Sequence, residues 1–300
     1  MNKIGFYAKT SLKLLLCILV YVVAYLLANM LIPYSNEFIE ARTSRVSTVM
    51  LLMLAYVSWI CFTIYFIIRH THYNGIKLYG RITSIIFFLV FIITNAGTLF
   101  SLDLFKGSLT VFDVLHMTIT GLFPILVTVP LMIKLFQNKE IVANKVVIAK
   151  FNLKTIVLKL GIIGIAYLAI NFLFLYFIQW RFEKFRTFYT DTSGQILWGG
   201  NNAGFLANFG FQLICGILIG IFTLFLLMMI EKSKKVFIVS TCLLYLCPAI
   251  MSFSNQLVPD TVRILSAIGL ITTRIIFGVI VGIILWKEQK SSNGVQQTST

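Results

Sequence analysis

The chain reads as an all-α, polytopic integral membrane bundle of about eight transmembrane helices with both termini cytoplasmic, and three observations predict this. Hydrophobic residues make up 59% of its 300 residues and charged residues only 12%, against roughly 25% charged in an average soluble domain. Apolar stretches long enough for a hydrocarbon core of about 30 Å recur eight times, at residues 14–32, 48–68, 82–102, about 114–133, 160–180, 209–230, 236–255 and 264–286. The loops between them divide the charge unequally. Seventeen lysines and arginines face three glutamates on the side of the termini, seven basic residues face seven acidic ones on the other, and Arg274 alone lies inside a stretch. An excess of Lys and Arg marks cytoplasmic loops, which places the chain in the cell membrane as a multi-pass protein.

The first stretch follows Lys3, Lys9 and Lys13, as the apolar part of a secretory signal would. It is too long for that role and ends in Asn29-Met30-Leu31-Ile32-Pro33 without a small-x-small cleavage site, so it is read as a retained helix. The second and third follow on short loops, which makes consecutive helices antiparallel neighbours, and Asn95 falls in the outer half of the third. Pro124 and Pro130 in the fourth, and Pro248 in the seventh, each remove a backbone donor and free a carbonyl. Residues 137–159 interleave apolar side chains with Lys139, Lys145, Lys150 and Lys154. This connector is expected to lie on the bilayer with its lysines toward anionic headgroups, and it is the natural seat for a cytosolic partner.

The fifth stretch holds Asn171 at mid-depth, and its Gly161 and Gly164, like Gly216 and Gly220 in the sixth, predict close helix contacts. Between these two lies the longest external loop, residues 181–208. Phe182, Phe185 and Phe188 recur every three residues and predict a short interfacial helix, with Trp180, Tyr189 and Trp198 as interfacial anchors and Gly199-Gly200-Asn201-Asn202 as a turn. Such a helix is either a cap on the bundle or a lid over a substrate. In the eighth, Gly278 and Gly282 form a small-xxx-small pattern beside Arg274. The polar tail from Ser291 is expected to be disordered, giving one transmembrane domain over residues 1–290 and a tail over 291–300. Ala24-Tyr25-Leu26 with Asn29 is echoed by Ala166-Tyr167-Leu168 with Asn171, 142 residues later, which hints at a parallel duplication of four spans.

Several function classes drop out. The pI near 9.7 reflects lysines at helix ends, not a nucleic-acid surface. Cys17, Cys61, Cys215, Cys242 and Cys247 all lie in apolar stretches and act as small hydrophobes. His70 and His72 lack a thiol or carboxylate companion for a metal, and no cofactor is implied. The chain carries no His-Glu-x-x-His, Gly-x-Ser-x-Gly, Walker or Glu-Glu-x-x-x-Arg pattern.

What remains is Arg274, the eleventh of 23 residues in its stretch and beyond easy reach of either interface. A charge at that depth costs at least about 2.5–3.5 kcal/mol and as a rule faces the bundle interior. With no carboxylate securely in a span, the guanidinium is met either by backbone carbonyls or Asn and Thr side chains, as a structural arginine, or by a bound anion assisted by the amides of Asn171 and Asn95. The sequence thus points first to a membrane protein that binds or translocates an anionic substrate such as a lipid-linked phosphate. A second reading is an intramembrane transferase or hydrolase acting on a lipid carrier, with Asp113 and His116 as an acid–base pair three residues apart on one helix face. A third is a non-catalytic interaction or immunity-type protein that docks through the basic connector.

Overall fold

The computed structural model of the protein describes residues 3–41, 46–105, 107–137, 152–190, 204–230, 233–253, 255 and 257–294. Among these residues, eight helices are long and apolar enough to cross a membrane. The first is Lys3–Leu31, the second Val46–His70, and the third runs from Gly75 to Phe100 through a π-helical segment at Phe87–Ile92. The fourth is Val111–Phe136, the fifth Leu153–Phe177, the sixth Gly204–Met229, the seventh Lys234–Ser252 and the eighth Asp260–Gly294. The protein is therefore an all-helical, multi-pass membrane bundle. The even number of spans puts both termini on one face, called here the terminus face; the other is the far face.

The helices outrun the apolar stretches. The third begins at Gly75 rather than 82 and takes in Lys77 and Arg81, and the fifth begins at Leu153 and takes in Lys154 and Lys159. The polar headgroup layer tolerates charge, so hydropathy registers only the hydrocarbon part of a helix that continues beyond it. The first turns of the third span stay attached to the bundle through Leu78, Ile82, Ile85 and Ile86, all buried. At the C-terminus the eighth helix continues through residues 291–294 of the expected tail, and the rest of that tail lies outside the described residues. So do Lys139, Lys145 and Lys150 of the basic connector, together with Trp198 and the turn after it; Lys154 is exposed on the first turn of the fifth span.

Small residues set the closest helix contacts. A Cβ on Gly216 would lie 2.9 Å from the Gly164 Cα, and one on Gly220 would press on Leu160 and Ile163, so spans five and six pack backbone to backbone. Gly161, expected in this contact, instead faces open space: it sits one residue off the Leu160–Ile163–Gly164 face. Gly278 and Gly282 admit Cys242 and Ile238 of span seven, and Gly121 makes room for the Phe91 ring.

Two layers divide the bundle along the membrane normal. From mid-depth to the terminus face, branched and aromatic side chains fill the centre without exposure: Ile60, Ile64 and Ile67 of span two, Ile82 and Ile86 of span three, Leu226 of span six, and Phe237 of span seven. Toward the far face the centre opens into a cavity.

Candidate functional site

The central cavity has a volume of about 730 Å³, within the roughly 300–1,000 Å³ of small-molecule sites. It runs from the far-face loops at Leu104, Leu109 and Leu257 down to Tyr21, Tyr56, Leu244, Tyr245 and Arg274 at mid-depth. Its walls are mostly aromatic and aliphatic, relieved by neutral polar groups, and Arg274 is the one charged side chain among the described residues that line it. A smaller chamber of about 190 Å³ adjoins it between spans five, six and eight, under the short helix Glu183–Tyr189. Tyr167, Tyr189, Gln212, Leu270 and Arg274 line both, so Arg274 stands in the wall that separates the two.

The local sequence explains the placement of each group. Arg274 lies fourteen residues into the eighth helix, so about 20 Å of helix separates it from the far end. Its Nη2 donates to the Tyr167 hydroxyl at 2.7 Å, and the guanidinium carbon lies 4.7 Å from the centroid of the same ring. The ring is held by Phe277, edge-on at 5.0 Å. Arg274 Nε is buried and makes no hydrogen bond among the described residues. A guanidinium has five N–H donors, and the one hydrogen bond seen from this one among the described residues is that of Nη2 to Tyr167.

Asn171 is one helical turn beyond Tyr167 and faces the same small chamber, where its amide donates weakly to Gln212 Oε1 at 3.5 Å. Gln179, Ser266 and Thr273 complete the polar wall; Gln179 rests on Gly269, where a side chain would collide with its amide, and donates to the Leu265 carbonyl at 3.3 Å. Asn95 lines the central cavity instead. It is buried and donates to Thr118 Oγ1 of span four at 2.7 Å. The structure thus brings Arg274 together with Asn171 in one chamber and with Asn95 in the other, and it does not bring the two asparagines together.

Asp113 and His116 have another setting. Asp113 is fully buried at the start of span four, where Oδ2 accepts from Thr110 N at 2.9 Å, Thr110 Oγ1 at 2.6 Å and Ser35 Oγ at 2.7 Å, and Oδ1 accepts from Ser35 N at 2.8 Å. Ser35 in turn caps the short helix Asn36–Glu40 by accepting from Phe38 N. The carboxylate is therefore occupied in capping two helices and tying them together. His116 packs edge-on to Tyr34 at 4.0 Å.

The loop helix foreseen from Phe182, Phe185 and Phe188 is present as Glu183–Tyr189, but only Phe185 of the three is buried. Phe185 and Tyr189 line the small chamber, and Phe188 and Tyr189 the central one. Tyr189 lies outside the spans, and its burial raises the phenol above its ordinary range.

Several contributors escaped the sequence reading. Tyr21 and Tyr56 are neighbours at the cavity floor, and neither hydroxyl reaches a well-placed partner among the described residues. Tyr245 shares a 2.6 Å hydrogen bond with Thr223. The π-helical segment contains neither Gly nor Pro, so nothing marks it in the sequence, yet its Leu89 and Phe91 line the cavity just before Ile93, Thr94 and Asn95. Such segments recur at functional sites. Compared with known proteins, the chain matches no family model, no curated protein and no solved structure.

Proposed function

We propose that the protein binds an anionic amphiphile, such as a lipid-linked phosphate, in the cell membrane, with Arg274 as the anion site. The observation that carries this reading is the charge of the chambers: one guanidinium, engaged by a single phenol, and no carboxylate among the described residues that line them. Neutral amides and hydroxyls beside it supply further donors to an anion without cancelling its attraction. The long aromatic and aliphatic walls of the central cavity suit the apolar part of the ligand. With the basic terminus face in the cytoplasm, the ligand reaches the site from the opposite side of the membrane.

The test is native mass spectrometry of the detergent-purified protein, wild type beside Arg274→Gln, alone and titrated with phosphatidylglycerol or phosphatidylcholine. A charge-assisted hydrogen bond is worth about 1.5–3 kcal/mol, so the variant should bind the anionic lipid about ten- to a hundredfold more weakly. Binding of the zwitterionic lipid should change little. Equal retention of phosphatidylglycerol by both proteins would remove Arg274 from the site.

A further inference from the structure

The packing of the eight spans repeats itself. In the first four, span one packs on spans two and four, and span four also packs on spans two and three. In the last four, span five packs on spans six and eight, and span eight also packs on spans six and seven. Contacts between the halves obey the same exchange: span two meets span seven, span three meets span six, and spans three and seven meet each other. The extents of the matched contacts are unequal, some differing about twofold, and spans six and seven touch where their counterparts, spans two and three, do so little.

The peripheral elements follow. The first span of each half leads into a short helix, Asn36–Glu40 or Glu183–Tyr189. The former is tied to the fourth span by Ser35 and Asp113, and the latter packs on the eighth. Tyr25 and Asn29 from span one line the central cavity, as Tyr167 does from span five, with Asn171 in the chamber beside it. These are the residues of the Ala-Tyr-Leu echo, so one register relates the sequence, the packing and the lining. Consecutive halves of four spans enter the membrane in the same direction, which makes the relation a twofold axis along the membrane normal. The cavity is lined from both halves.

Polar and apolar contacts both cross the seam between the halves. Polar links across it include Trp59 Nε1 to the Leu243 carbonyl at 3.0 Å, Cys247 Sγ to Thr63 Oγ1 at 3.8 Å, and His72 N to the Met229 carbonyl at 3.4 Å. Apolar contacts across it include Phe100 stacked on Phe211 near the far face and Phe88 on Phe222 deeper in. At its far-face end the seam holds the cavity, and at its terminus-face end it is closed by close-packed aliphatic side chains. A two-body assembly open at one end of its seam and sealed at the other can exchange the two ends by rocking.

We propose that the chain is an internal duplication whose halves rock against each other, so that the Arg274 cavity faces the two sides of the membrane in turn and the protein acts as a carrier. The proposal rests on the anion reading of Arg274 for its cargo but not for its motion. Only the second half supplies the arginine, since the fourth span has Lys134 near its terminus-face end as its one basic residue. The duplicated scaffold therefore carries a single anion site.

Pulsed electron–electron resonance on spin labels at exposed positions tests this. Lys77 with Lys235 spans the seam at the terminus face, Glu37 with Lys184 spans it at the far face, and Glu37 with Ile76 serves as a control within the first half. The protein is placed in phosphatidylcholine nanodiscs with and without phosphatidylglycerol as the anionic probe. Both seam pairs should give two distance populations, the longer at the terminus face matching in abundance the shorter at the far face, while the control gives one. Phosphatidylglycerol should shift the ratio at least twofold in wild type and leave it unmoved in Arg274→Gln. Single populations for both seam pairs in both lipids would overturn the rocking and leave the binding reading to its own test. Two populations with the same lipid response in wild type and variant would keep the rocking and overturn the anion site.

Discussion

Replacing Arg274 by Met asks whether the arginine is there for the fold or for a ligand. Met keeps the length of the aliphatic stem and removes the guanidinium. The change loses the hydrogen bond to Tyr167, worth about 1.5–3 kcal/mol for a charged donor, and the contact with its ring, worth about 0.5–2 kcal/mol. It also removes a cation that costs at least about 2.5–3.5 kcal/mol at the centre of a span, and the buried Nε, which lacks a partner, a further cost of about 1–3 kcal/mol. The losses sum to about 2–5 kcal/mol and the relieved costs to about 3.5–6.5 kcal/mol, so the variant is expected to be as stable as wild type or more so, with any loss no larger than about 1.5 kcal/mol. Reversible unfolding in mixed micelles by titration with dodecyl sulfate, followed by circular dichroism, measures it. A structural arginine, one half of a completed buried pair, would instead cost about 3–5 kcal/mol on removal. A loss of that size would refute the reasoning, because it would mean that the guanidinium is already satisfied by the protein.

Two further substitutions test the geometry by the same unfolding measurement. Asp113→Ala removes a capping partner, about 0.5–2 kcal/mol, and strands the Ser35 and Thr110 amides at about 1–3 kcal/mol each, so a loss of roughly 3 kcal/mol or more is expected; unchanged stability would return Asp113 to the candidates for acid catalysis. Gly216→Leu should cost about 1–3 kcal/mol by overpacking the contact of spans five and six, whereas Gly161→Leu, facing open space, should stay within about 0.5 kcal/mol of wild type; equal effects would refute the assigned face.

The fold was legible because the bilayer imposes one dominant condition, that a span be apolar and long enough, and hydropathy reads that condition directly. Helix ends were less legible. Lys77, Arg81, Lys154 and Lys159 look like loop residues by charge, yet they lie on helices that continue into the headgroup layer. The glycine contacts were half legible for a related reason. Spacing shows that Gly161 and Gly164 stand near one another on the helix, but which of them faces span six depends on a rotation that packing decides, and Gly164 takes that face. The π-helical segment was not legible at all, since a run of Phe, Leu, Val and Ile serves an α-helix equally well.

The site shows the same division. Arg274 stood out because its depth makes it costly, and cost is visible in one dimension. The groups around it are phenols and amides, common and inexpensive in membrane helices, and they become a site only by converging: Tyr167 and Asn171 through one turn of span five, Gln212 from span six, Thr273 beside the arginine itself. Asp113 has a setting that the sequence did not show. A buried carboxylate one turn from a histidine looks like acid–base chemistry, but its partners Ser35 and Thr110 lie in loops whose approach the spacing within span four does not encode. The repeat was the faintest signal in the sequence, four matched positions, and gains its weight from the packing. Two halves that had diverged without sharing an architecture would have no reason to place Tyr25 and Tyr167 around one cavity. That placement connects the duplication to the site, because a ligand held between two bodies is touched by both, and any motion between them is felt at Arg274.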